Sequence, residues 1–423
     1  MELLKNRNFI LLFVGQGISR LGDGLYTAAV AWLAWSLTRD PTAVAFVTMA
    51  AFGPAFLATV VGASYADRYD RRRLMIATDL ARGVVVALAS GLLALGMLNL
   101  TVLVVVTAVL ALIGAPFGPA RNATVPEVVP PQDLLQANGL LQVAFRAAFS
   151  GGALLLAPLL ATSSLTLVLS LDVLTFLVSA ATVAALRVRR PAPADHRTGL
   201  RADLAAGLAA LRSEPVVLIV IATFVVAIAA ALGFLTVGLS VLVGERFGAD
   251  GGQYGLLLGI TGVGEVVGAF VVARLPLRNL ALTAVLSWAL LGVFRFPLGL
   301  AQSPIVAAAL LTLTGLASAL TDIPLIALVQ QRIPGRHLAK TLGLWEAGIA
   351  GAAAVAPWVA SATVEAIGVG TAFMVSGAVL IGLGALAAIT ILYFTAKAEG
   401  ARPAPSAVVA SSGCGPTTPC GRF

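Results

Sequence analysis

Six carboxylates sit inside long apolar runs of this chain: Asp23, Asp79, Asp172, Glu265, Asp322 and Glu346. Four arginines, Arg20, Arg82, Arg146 and Arg295, share that setting. An ionisable side chain at the centre of a bilayer costs about 2.5–3.5 kcal/mol on insertion scales. Such a group persists where it is paired, faces water or does work. The chemistry open to this set is proton binding and release. Neither histidine, His196 or His337, falls in an apolar run, so a proton relay would have to use carboxyl groups.

Spacing separates the candidates. Asp23 follows Arg20 by three residues and so shares its helical face, which suits either a self-neutralising pair or a coupling site. Glu265 has no basic residue within four positions and is flanked by Gly262, Gly264 and Gly268. It is read as a protonatable acid or as a partner of Arg295. Asp322 lies two residues before Pro324. Asp23, Glu265 and Asp322 are therefore the proton-coupling candidates. Asp79 and Arg82, again three apart, are read as a pair bracing the charged segment before them, and Glu346 as a residue reaching for the interface. Asp172 receives no assignment.

The elements that must hold these groups follow from composition. The chain has 423 residues, of which 59% are hydrophobic and 11% charged, with a mean hydropathy of +0.99. Soluble domains carry roughly 25% charged residues. A hydrocarbon core about 30 Å thick takes ~20 apolar residues per helix. That ruler places twelve spans, at 9–36, 42–66, 74–97, 99–121, 138–161, 164–187, 216–242, 251–275, 278–300, 304–330, 341–365 and 368–394. The expected fold is all-α and integral to the membrane, with an N-terminal six-helix bundle (1–187), a linker (188–215), a C-terminal six-helix bundle (216–396) and a disordered tail (397–423). Leucines at 200, 204, 208 and 211 give the linker an amphipathic helix. Prolines within GAPFGPA (114–120), GALLLAP and GAAAVAP mark expected kinks.

Lys and Arg fix the expected orientation. With the N-terminus inside, twenty-one of the twenty-seven fall on the cytoplasmic side, and only Arg39 and Arg246 on the other. The positive-inside rule then makes both termini cytoplasmic. The same rule accounts for the net charge of +8 without nucleic acid. Arginine outnumbers lysine 24 to 3, an association with GC-rich bacterial genomes, so a bacterial cytoplasmic membrane is expected. The first apolar segment is too long for a cleavable signal peptide. Both cysteines, Cys414 and Cys420, lie in the polar tail at a spacing that fits no metal site.

An internal repeat divides the chain. GASYADRYDRR from Gly62 aligns with GAFVVARLPLR from Gly268, VPPQDLLQANGL from Val129 with IPGRHLAKTLGL from Ile333, and GALLLAP from Gly152 with GAAAVAP from Gly351. The offsets are 206, 204 and 199 residues, the signature of two parallel six-span repeats.

The pattern Gly62, Asp67, Arg68, Arg71 and Arg72 after the second span resembles the signature loop of the major facilitator superfamily. QGISRLGDGLY, ADRYDRRRL and PARNATVPEVVPPQDLLQANGL are similar to its branch of macrolide-efflux proteins and the enterobactin exporter. The resemblance covers residues 5–395 and implies alternating access by two rocking halves, usually with proton antiport. It also implies that spans 1 and 10, with Asp23 and Asp322, line a central cavity. Gly62, Asp67, Arg68, Arg71 and Arg72 then form a cytoplasmic latch, supported by Asp79, Arg82, Arg274 and Arg278. The second copy has Ala273 in the place of Asp67. The antiporter Gly-Pro of span 5 is Ala157-Pro158 here.

Candidate cavity residues are chiefly aromatic: Trp32 and Trp35, Phe224 and Phe234, and Trp358. Arg20 and Arg146 could meet an anionic group. No dense polar array suited to a sugar or a phosphate is present. The reading is a proton-coupled exporter, a functional monomer without cofactor or metal, acting on a drug-like, hydrophobic or amphipathic small organic molecule. Siderophore or other small-metabolite transport is the runner-up, and a transport-dead sensor stands third. With no nucleotide loop, metal-ligand cluster or nucleophile–histidine pair, an enzyme is not expected.

Overall fold

The computed structural model describes residues 3–66, 70–130, 133–162, 164–187, 200–248, 250–272 and 274–400. Among them the chain is helical throughout. The first six spans are α1 (Arg7–Thr38), α2 (Pro41–Ala66), α3 (Arg71–Ala94), α4 with α5 (Leu100–Gly114 and Phe117–Val128), α6 (Leu134–Thr162) and α7 (Leu165–Ala184). The linker helix is α8 (Leu200–Ser213). The second six are α9 with α10 (Pro215–Gly233 and Leu239–Val241), α11 (Gly251–Val272), α12 (Leu280–Arg295), α13 (Pro304–Arg332), α14 (Gly335–Ile367) and α15 (Val369–Gly400). Ten stretches are long and apolar enough to cross a bilayer. The 32 residues of α1 have the length but carry Gln16, Ser19, Arg20 and Asp23 at mid-helix, and α2 completes the twelve.

Helix ends follow local chemistry. The side chains of Asn6, Asp70, Asn99, Asn279 and Ser303 accept from backbone amides of the first turns of α1, α3, α4, α12 and α13, supplying partners that helix N-termini lack. Span 4 breaks at Ala115-Pro116, within the GAPFGPA segment where a kink was expected, since proline cannot donate to the ladder. Pro158 and Pro357 lie inside helices that continue through them. Span 7 passes through π-helical turns at Phe234–Gly238 and Leu242–Arg246.

The repeat predicted from sequence is visible in which helices touch. Within the first half α1 packs on α6 and α7, α2 on α4, and α3 on α7. Their counterparts are α9 on α14 and α15, α11 on α13, and α12 on α15. The halves meet through α6 against α11 and α2 against α14, which is the same pairing with the halves exchanged.

Close approach explains the glycine-rich α11. Gly255, Gly259 and Gly262 lie on one face against Ala153, Leu154 and Ser150 of α6, forming the seam between the halves. A second face meets α13, where a Cβ on Gly315 would fall on the Thr261 carbonyl oxygen. Gly315→Val is therefore expected to cost at least the 1–3 kcal/mol of an overpacked core, whereas Gly382→Ala, with open space around it, is expected to be near neutral. Thermal unfolding in detergent checks both.

The cores show which end is shut. One apolar cluster draws on both halves, joining Trp35, Val44 and Val47 to Val237, Tyr254 and Phe373. It lies at the end away from the amino terminus, hereafter the far end. At the other end each half keeps its own core, around Phe9, Met75 and Phe117 in the first half and Phe224, Trp288 and Trp345 in the second. Among the described residues the halves therefore share an apolar core at the far end and keep separate cores toward the amino-terminal end.

Candidate functional site

Two charge clusters occupy the middle of the bundle. In the first half the Arg82 guanidinium donates to Asp23 Oδ1 at 2.5 Å, and Arg20 reaches Asp23 Oδ2 at 3.4 Å. Arg82 also lies 4.2 Å above the Phe176 ring. The self-neutralising pair expected within α1 is thus a three-membered cluster spanning α1 and α3. The pairing expected between Asp79 and Arg82 gives way to it: Asp79, wholly buried, accepts instead from the Ser179 hydroxyl at 2.6 Å. Asp172, unassigned from sequence, is buried beside Thr175.

The second cluster joins the halves. Arg146 on α6 donates to Asp322 on α13 and stands 4.0 Å from Glu265 on α11. Ser318 donates to the other Glu265 oxygen at 3.3 Å. The alternative pairing of Glu265 with Arg295 is not found, because Arg295 donates to the Ala231 carbonyl at 2.8 Å. Arg20 and Arg146 keep 41% and 40% of their side-chain surface open. A guanidinium exposed to hydrocarbon at that depth is costly, which places the open faces of both on the cleft between the halves. Arg121, which was not among the sequence candidates, stacks at 4.7 Å on Phe145, opposite Arg20 at 5.9 Å. Its place at the end of an apolar run was the signal.

The aromatic candidates fall outside this cleft. Phe224 packs between Trp288 and Trp345, and Phe234 against Phe373. Trp32 stacks on Tyr254 in the far-end seal, and Trp358 meets Phe46 and Met49 where α14 packs on α2. Large rings contribute most by filling cores, and hydropathy cannot tell a core position from a cavity wall.

In the loop after α2, Asp67 and Arg68 lie outside the described residues, and Gly62 lies on α2. Asp70 caps α3. Arg71 binds Glu127 at the end of α5, a partner the sequence gave no reason to single out. Arg72 donates to the Val183 and Ala184 carbonyls, where a helix C-terminus favours a cation. In the second copy Arg274 donates to the Phe270 carbonyl at 3.0 Å, and Arg278 is exposed.

Two six-helix repeats, sealed at one end around a charged cleft at mid-membrane, define a transporter of the major facilitator fold. The chain belongs to the transmembrane secretion effector family of these transporters, whose model matches residues 2–409. It is 25% identical over 410 residues to the uncharacterized MFS-type transporter YfiS of Bacillus subtilis, covering 92% of this chain and 94% of that one. It is 29% identical to the multidrug efflux pump Tap of Mycobacterium tuberculosis over 209 residues, 47% of this chain and 49% of Tap. Among solved structures, a bacterial homolog of the human lysosomal transporter Spinster, inward-facing and unoccupied, superposes with a TM-score of 0.68 at 12% identity, covering 94% of this chain and 98% of that one.

Proposed function

We propose that the protein is a proton-coupled exporter of drug-like, hydrophobic or amphipathic small organic molecules, working as a monomer in a bacterial cytoplasmic membrane with both termini in the cytoplasm. The observation that carries this reading is Arg146, held from α6 by Asp322 and faced by Glu265 across the seam. The bridge ties the two halves together in this far-end-closed form, and rocking one half against the other alters it. A proton on either acid weakens it, which ties proton occupancy to the direction the cleft opens. The likeness to a multidrug efflux pump over half the chain supports export. Arg20 and Arg146, both partly open, are available to an anionic group on an amphipathic cargo. Asp23 is the third coupling candidate. The loop arginines serve as the cytoplasmic latch, with Arg71 on Glu127 and Arg72 on the end of α7.

A proton crossing 100 mV releases about 2.3 kcal/mol, enough to drive roughly fifty-fold accumulation. In inside-out vesicles, ethidium uptake is expected to depend on the proton gradient and to fall at least tenfold in Glu265→Gln. Uptake that survives collapse of the gradient would sink the coupling. A siderophore as cargo remains the second reading, and competition by catecholate ligands in the same vesicles separates it.

A further inference from the structure

Behind Asp23 the first half holds a partly open chamber of about 220 Å³ among α1, α2, α3, α4 and α7. One water needs on the order of 10–15 Å³ of such space, so the chamber has room for several. Its polar wall is formed by Tyr26, Thr27, Arg82, Thr107 and Asp172, with Phe176 beside them. Such a wall favours water over an empty void.

Asp172 is 1% exposed. Its Oδ1 receives only the Thr175 hydroxyl, at 3.2 Å, and that hydrogen is shared with its own carbonyl at 2.8 Å. Among the described residues Asp172 makes no ion pair within the 4.0 Å limit. The other groups near it are accounted for. From α1 come Asp23 and Tyr26; Asp23 is held by Arg82 and Arg20, and Tyr26 bonds Thr107 at 3.1 Å. From α3 come Arg82 and, one turn earlier, Asp79 on Ser179. The charge on α6, Arg146, is turned to the cleft. The described part of α2, like α4, carries no titratable residue beside the chamber. Arg121 of α5 stacks on Phe145. One donor remains unused: Arg82 Nε, buried without a hydrogen-bond partner, on the same chamber as Asp172.

We propose that Asp172 is a second proton-binding site, served by water in the chamber, and that Arg82 divides its donors between Asp23 and Asp172. Asp172 makes no ion pair among the described residues while Arg82 is engaged by Asp23, and burying a carboxylate unpaired is costly, so the resting form carries the proton. When that proton passes to chamber water as hydronium, the carboxylate left behind accepts the Arg82 Nε–H. Reprotonation from hydronium breaks that bond and returns Arg82 wholly to Asp23. The inference rests on the proton-coupled reading, and it adds a site within one half, distinct from the bridge between the halves.

The test is infrared difference spectroscopy of the purified full chain between mildly acidic and mildly alkaline buffer. The wild type is expected to lose a protonated-carboxyl band that is absent in Asp172→Asn, displaced in Asp172→Glu and retained in Asp79→Asn. A wild-type spectrum in Asp172→Asn overturns the proposal. Should the asparagine variant fail to fold, an undisplaced band in Asp172→Glu overturns it equally. If the band behaves as expected while ethidium uptake ignores the proton gradient, the coupling reading fails and the site stands.

Discussion

Arg82→Met is expected to destabilise the purified protein by about 3–5 kcal/mol, the usual cost of removing one partner from a buried ion pair. Both side chains of the Arg82–Asp23 pair are only 17% exposed. The substitution leaves Asp23, Asp79 and Asp172 within one half, with Arg20 as the nearest remaining cation. Methionine keeps much of the stem that lies against Phe176, so the loss comes from charge and not from volume. The double variant Asp23→Asn/Arg82→Met is therefore expected to recover at least half of it. Thermal unfolding followed by tryptophan fluorescence reads the cycle. A double variant no better than the single one would assign the effect to packing on Phe176.

The second large effect concerns the bridge between the halves. Replacing Arg146 by leucine removes the bond to Asp322 and the approach to Glu265. A hydrogen bond to a charged group contributes about 1.5–3 kcal/mol, and on the proposed mechanism the bridge favours the far-end-closed form. Arg146→Leu is expected to shift the population toward far-end-open forms by about 10–150-fold. Met49→Cys, in a background with Cys414 and Cys420 changed to serine, reports this shift. Met49 lies half-buried against Trp358 where α2 meets α14 toward the far end, so its labelling by a membrane-impermeant maleimide from that side is expected to rise. Unchanged labelling would mean that the bridge carries no weight in holding the far end closed.

Much of the architecture could be read from residue types. Spans of the right length, the parallel repeat and the linker helix follow from apolar runs, the Gly-Ala and Arg positions at 62–72 and 268–278, and the leucines of α8. The site was legible as a set of residues but not as a set of pairs. Spacing along one helix pointed Asp79 to Arg82, whereas Arg82 crosses to α1. It offered Glu265 no neighbour, whereas Arg146 reaches it from the other half. Contacts between helices depend on rotation about axes that one sequence leaves open. The break at Pro116 falls in the GAPFGPA segment that its prolines mark for a kink. Trp32, Phe224 and Phe234 were placed in the cavity because ring size and hydropathy are the same in a core.

The glycine face of α11 has a consequence for how the protein moves. Where Gly255, Gly259 and Gly262 rest on α6, Leu156, Leu154 and Ser150 seat directly on the α11 backbone, which offers no side chains of its own at those positions. Parting them moves no α11 rotamers there, and what it wets is the leucines, each 100 Å² of apolar area costing about 2.5 kcal/mol. Such a joint is suited to being peeled and resealed many times. Larger side chains there would hold more firmly and release more slowly, turning a carrier into a plug.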